Sequence, residues 1–229
     1  MKNLISSEDL IEILDNADIA IFDCRFILND PSKGREQYAE AHIPGAYYLS
    51  LDDDLSARVS AHGGRHPLPE VETMAATFSR FGIERNKTRV IAYDDAGGSF
   101  ASRLWWMLRY LGHENVQVLD GGLSAYLMAG GILTHQVSTA HPSKFDPRPN
   151  PSMLADMSEI AAMSDRSRVV DCRAEDRYRG ENETIDPIAG HIPGVQNIHW
   201  MRSLGKDNHF RSIDDIKTQF ASLPPNPIM

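Results

Sequence analysis

The segment IFDCRFILNDPSKGREQYAEAHIPGA, starting at Ile21, returns in altered form as VVDCRAEDRYRGENETIDPIAGHIPGV, starting at Val169. Asp23-Cys24-Arg25 recurs as Asp171-Cys172-Arg173, 148 residues on, and the His-Ile-Pro-Gly at His42 recurs at His191, 149 residues on. So long a period excludes solenoid repeats, which run far shorter, and implies a duplicated domain with one net residue inserted between the two landmarks. A chain of 229 residues accommodates two domains. The expected organisation is a first domain over 1–131, a linker over 132–153 and a second domain over 154–229. The linker reading rests on Thr134 to Met153, which carries four prolines and little apolar periodicity, as a linker or domain-wrapping segment would.

Within the first copy, short apolar runs (DIAIFDC, AYYLSL, TRVIAYD, VQVLDGG) alternate with helical patterns (SSEDLIEIL, VETMAATFSRFG, SFASRLWWMLRYLG, LSAYLMAGG). Strands alternating with helices predict an α/β fold in which each domain is a parallel sheet flanked by helices. In such sheets ligands sit outside the carboxyl ends of the strands. The second copy repeats the opening: helix DMSEIAAM, strand RVVDCR, strand GVQNIHW and helix SIDDIKTQFASLP. By alignment, Pro227-Ile228-Met229 begins the strand that matches RVIAYD, so the second domain is expected to be incomplete.

The net charge of −9 argues against a nucleic-acid binder, whose footprint would be basic. Through Gly131 there are 12 basic against 19 acidic residues, and from Ile132 onward 11 against 13, so a small anion meets less opposing field in the second half. No stretch approaches the roughly 18 apolar residues of a membrane span, and the acidic N-terminus lacks a signal peptide's apolar core. The expectation is a cytoplasmic protein without membrane partners. Both cysteines sit in the repeated Asp-Cys-Arg, in separate copies, which argues against a disulfide between them.

The two Asp-Cys-Arg and two His-Ile-Pro-Gly landmarks, with a third strand, a helix and Asp-Gly-Gly following, resemble the two-domain rhodanese-like sulfurtransferases over essentially the whole chain. The resemblance implies transfer of a sulfane sulfur from thiosulfate or 3-mercaptopyruvate, through a cysteine persulfide, to cyanide or a thiol acceptor. It implies no cofactor and no metal. The family places its nucleophile in the loop after the third strand, where successive N–H groups and a helix start lower a thiol's pKa. In the first copy that loop reads AYDDAGGSFASRLWW and the matching position is Asp94, so the first domain is expected to be silent. In the second copy the loop falls beyond Met229, so the chain as it stands is expected to be inactive.

The resemblance also assigns Arg177, in AEDRYRG, to the donor's anionic group, with Arg179 as a neighbouring alternative; a guanidinium's planar fork suits such anions. A solvated surface arginine is the competing reading, and Asp176 stands where the family usually has Gly. Asp23, Arg25, Asp171 and Arg173 are expected to be structural pairs. His42 and His191 are expected to be structural too, bonding across the Pro-Gly turn. Cys24 and Cys172 read as small buried residues. His62 and His66 of HGGRH lack further metal ligands and read as a loop closing on the neighbouring domain. A magnesium or phosphoryl role for Asp94 and Asp95 has little support. Arg103, Trp105 and Trp106 read as core and interdomain packing. The competing classes are a non-catalytic rhodanese-like binding module and a phosphatase of related fold with a longer loop.

Overall fold

A computed structural model of the chain describes residues 2–16, 18–61 and 63–224. It divides into two units, Met1–Pro151 and Ser152–Met229.

The first unit is built on five parallel strands in the order β1-β5-β4-β2-β3: β1 Leu4–Ile5, β2 Ile19–Asp23, β3 Ala46–Tyr48, β4 Arg89–Tyr93 and β5 Val116–Leu119. The central strands β2 (IAIFD) and β4 (RVIAY) are apolar on both faces, as a sheet covered on both sides requires. Helices α1 (Ser7–Ile13), α2 (Lys33–Glu40), α3 (Val71–Arg80), α4 (Ala101–Tyr110) and α5 (Gly122–Met128) do the covering. On α4 and its C-cap, Leu104, Met107, Leu108 and Leu111 recur at helical spacing and are all fully buried. Truncating one of these leucines to alanine costs about 2–5 kcal/mol. Two elements have no clear apolar signature: β1 has two residues, and α2, KGREQYAE, buries only Gly34 and Tyr38.

Residues 132–150 run along the first unit. Thr134 and His42 exchange backbone hydrogen bonds at 2.9 Å, Arg148 N–H bonds Leu111 O at 2.8 Å, and buried Phe145 packs edge-on against Phe78. Proline removes donors from this strap without leaving it unattached.

The second unit holds α6 (Met157–Ala162), capped reciprocally by Asp156 and Glu159, then β6 (Val170–Asp171), α7 (Glu175–Arg179), β7 (Gln196–Asn197) and α8 (Ile213–Gln219). β6 and β7 pair in parallel. The strand expected to match Arg89–Tyr93 from Pro227 onward lies outside the described residues.

Candidate functional site

The repeated tripeptide folds into the same device in both units. Asp23, at the end of β2, accepts from Arg25 N–H at 3.0 Å and from its guanidinium Nη2 at 2.6 Å, while Nη2 also donates to Ala41 O at 2.7 Å. Asp171 accepts from Arg173 N–H at 2.9 Å and from Nη2 at 2.7 Å, and that Nη2 donates to Gly190 O at 2.7 Å. Each arginine thus ties a strand end to the carbonyl just before the His-Ile-Pro-Gly. In both units the aspartate and the arginine of the tripeptide pair with each other.

The histidines behave differently from the expectation that they bond across their own turn. His42 Nδ1 sits 2.6 Å from Tyr38 O, and its ring stacks on Tyr38 at 3.9 Å. His191 Nδ1 sits 2.7 Å from Tyr178 O, and its ring stacks on Tyr178 at 3.7 Å. Both reach back to a helix instead. The tyrosines match as well, since Tyr38 Oη donates to Ala46 O at 2.9 Å and Tyr178 Oη to Val195 O at 2.8 Å. Gly45 and Gly194, at φ +82° and +88°, supply the backbone conformation that the turn needs.

This equivalence of Tyr38 and Tyr178 resets the alignment. Tyr38 follows Asp23 by 15 residues and precedes His42 by 4; Tyr178 follows Asp171 by 7 and precedes His191 by 13. The apparent insertion of one residue is a loss before the tyrosine offset by a longer gain after it. Arg177 therefore corresponds to Gln37, whose Oε1 is buried without a hydrogen-bond partner among the described residues. The first copy, ILNDPSKGREQY over this segment, therefore has no arginine at the position of Arg177.

The loop after β4 forms a cradle of backbone N–H groups. Asp94 Oδ1 accepts from Ala96 and Gly98, each at 2.9 Å, and Oδ2 from Phe100 at 2.8 Å and Ala101 at 2.9 Å. Ala101 opens α4, so the loop carries both converging N–H groups and a helix start. The cradle is built for an anion, and the chain's own buried carboxylate fills it. Gly122 makes room for this loop: a Cβ there would lie 2.4 Å from Asp94 O.

Arg177 lies in the last turn of α7. Its Nε donates to Glu183 Oε2 at 3.0 Å and its Nη2 to Asp186 Oδ2 at 2.6 Å. Glu183 also accepts from the N–H groups of Ile185 and Asp186 and lies 3.5 Å from Arg173 Nη1. These contacts, the Asp186 N–H foremost, pull the Glu183 carboxyl down to about 2. Arg179 is exposed and pairs with Glu181. A cleft of about 440 Å³ opens beside Asp171, Arg173, Gly190, His191 and Ile192.

Neither described cysteine is set up as a nucleophile. Burial, then Asp23 and Asp94, pushes the Cys24 thiol well above its usual range. Burial and Asp171 raise Cys172. His66 pairs with Asp52 at 3.1 Å, while His62 lies outside the described residues. No group of three or more His, Cys, Asp or Glu suited to a metal occurs among the described residues. Arg103 holds the His66 loop within its own unit, donating to the carbonyls of Leu55, His66 and Pro67 at 2.9–3.2 Å. Trp105 and Trp106 are only half-buried, which corrects their reading as core; the leucine face of α4 takes that place. No helix among the described residues is long and apolar enough to cross a membrane.

Comparison with known proteins gives a consistent picture. Residues 6–129 match the rhodanese-like domain family. The chain is 41% identical to a probable 3-mercaptopyruvate sulfurtransferase of Pseudomonas aeruginosa, over 96% of this chain and 78% of that protein. It is 31% identical to the thiosulfate sulfurtransferase of Bos taurus, over 88% of this chain and 69% of that one. Among solved structures, SseA of Escherichia coli, a 3-mercaptopyruvate sulfotransferase, superposes with a TM-score of 0.83 at 26% identity, covering 97% of this chain and 84% of that one.

Proposed function

Because the chain belongs to the rhodanese family of sulfurtransferases, we propose that it moves a sulfane sulfur from 3-mercaptopyruvate or thiosulfate, through a cysteine persulfide, to cyanide or a thiol acceptor. A thiolate attacks the donor's sulfane sulfur. The donor's S–S or C–S bond breaks, and its electron pair leaves with sulfite or with the enolate of pyruvate. The acceptor then attacks the outer sulfur of the persulfide and the cysteine departs as thiolate. We place that cysteine in a second cradle after Met229, carried by a strand equivalent to Arg89–Tyr93, and expect residues 1–229 alone to be inactive.

The observation that carries this reading is the pairing of differences between the units. The first unit has a built anion cradle filled by Asp94, and an uncharged Gln37 at the position that corresponds to Arg177. The second unit has Arg177 where Gln37 stands, which suits an anionic donor. The domain scheme follows: 1–131 silent, 132–153 connecting, 154–229 opening the active domain, the two related by duplication. A cytoplasmic setting suits a free thiol chemistry.

The test is mass spectrometry of the complete protein after exposure to thiosulfate or 3-mercaptopyruvate, which should show one added sulfur removed by cyanide. A protein that never gains sulfur from either donor is the non-catalytic module instead.

A further inference from the structure

Between Tyr178 and His191 the second unit has twelve residues where the first, between Tyr38 and His42, has three, a gain of nine. This added segment delivers two carboxylates to Arg177. They are not alike. Glu183 has a side chain only 3% exposed and is held by two backbone N–H groups as well as by Arg177 Nε. It is a fixed brace on one edge of the guanidinium. Asp186 is 34% exposed and takes the outer donor, Nη2, at 2.6 Å. An anion that meets Arg177 through Nη2 therefore meets a carboxylate already in place.

We infer that Asp186 is a specificity-determining residue: an internal competitor that occupies Arg177 Nη2 until the donor's anionic group displaces it, while Glu183 keeps the guanidinium aimed. This rests on the reading of Arg177 as the donor-binding arginine. A displaced Asp186 remains tethered close by and repels the newcomer. Coulomb repulsion scales with the product of charges, so a doubly charged thiosulfate is penalised more than a singly charged 2-oxo carboxylate such as 3-mercaptopyruvate. Asp186 thus shifts the balance that Arg177 alone would set towards the singly charged donor.

The experiment is steady-state kinetics of the complete protein with each donor, for the wild type and for D186N, D186E and R177Q. D186N is expected to lower KM for 3-mercaptopyruvate about two- to five-fold and KM for thiosulfate by more, the change falling on KM rather than kcat and shrinking as salt is raised. D186E restores wild-type values. Titration with pyruvate, an unreactive carboxylate, followed by NMR at the Arg177 Nε–H, should show tighter binding in D186N without any turnover. If D186N leaves both KM values and pyruvate binding unchanged while R177Q raises KM, Asp186 only braces its loop and the inference falls. If R177Q leaves KM unchanged for both donors, the reading of Arg177 falls first and takes the inference with it.

Discussion

Tyr93 donates its phenolic hydrogen to Asp23 Oδ2 at 2.7 Å, across the paired ends of β4 and β2. Arg25 grips the same carboxylate from the other side, and the Tyr93 oxygen accepts from Ile43 N–H at 3.2 Å. β4 is thereby tied to both repeated motifs of the first unit. All three side chains are buried, so each polar group depends on the others.

Replacing Tyr93 with phenylalanine keeps the ring and removes the donor, leaving the Asp23 carboxylate and the Ile43 N–H short of partners. The expected loss is about 1–3 kcal/mol, measured as a lower urea midpoint. An unchanged midpoint would mean that Arg25 alone satisfies Asp23.

Asp94 holds four N–H groups in place, so D94A should strip a buried cradle of its anion and destabilise the first unit by about 3 kcal/mol or more. D94C is the more telling variant. It places a thiol where N–H groups and the start of α4 favour a thiolate, and its pKa should fall into the range of about 3.5–7.5 seen in such settings. Iodoacetamide at neutral pH should then label Cys at position 94 well before Cys24 or Cys172. Equal labelling rates would show that the cradle does not activate a thiol.

In the unaltered protein, burial raises both Cys24 and Cys172, leaving little thiolate at neutral pH. Both should be alkylated about tenfold or more slowly when folded than in urea. Rapid native labelling of Cys172 would reopen it as a nucleophile.

Acid should loosen the two units in different windows. His113 is buried, its Nδ1 accepting from Asn86 N–H at 3.0 Å, and burial depresses it to about 4. Its neutral form belongs to the folded state, so the unfolded chain binds the extra proton between pH 6.5 and 4. This contribution is complete above about pH 6.5 and lost as pH falls towards 4, a change on the order of 3 kcal/mol. Glu183, depressed to about 2, keeps its contribution above about pH 4.5 and loses it only as pH falls towards 2. Urea unfolding at pH 7, 5.5 and 4.5 checks the first window. H113Q should flatten the slope there and leave the acid limb below pH 4 intact.

The fold of the first unit was legible because β2, β4 and α4 are apolar patterns, with Gly112 closing α4, and burial follows pattern. Strand β1 and helix α2 were not, since two residues carry no period and KGREQYAE buries almost nothing. The Asp-Arg pairing was an implication of the family resemblance, and the repeat alone did not specify it. The Tyr-His stack could not be read from the sequence, because opposite length changes on either side of the tyrosine nearly cancel in the alignment, and only the shared geometry exposes them. The same cancellation hid Gln37 as the partner position of Arg177. A tyrosine four residues before the first histidine and one following Arg177 were the available signal. The tryptophans misled for another reason: hydrophobicity is not facing, and the leucine spacing of α4 decides which side is buried.

The most direct test of the account is peptide mapping of the complete protein after reaction with 3-mercaptopyruvate. The account predicts a single persulfide on a cysteine C-terminal to Met229, with Cys24 and Cys172 unmodified. A persulfide on Cys24 or Cys172 would contradict it, and so would a protein that acquires none.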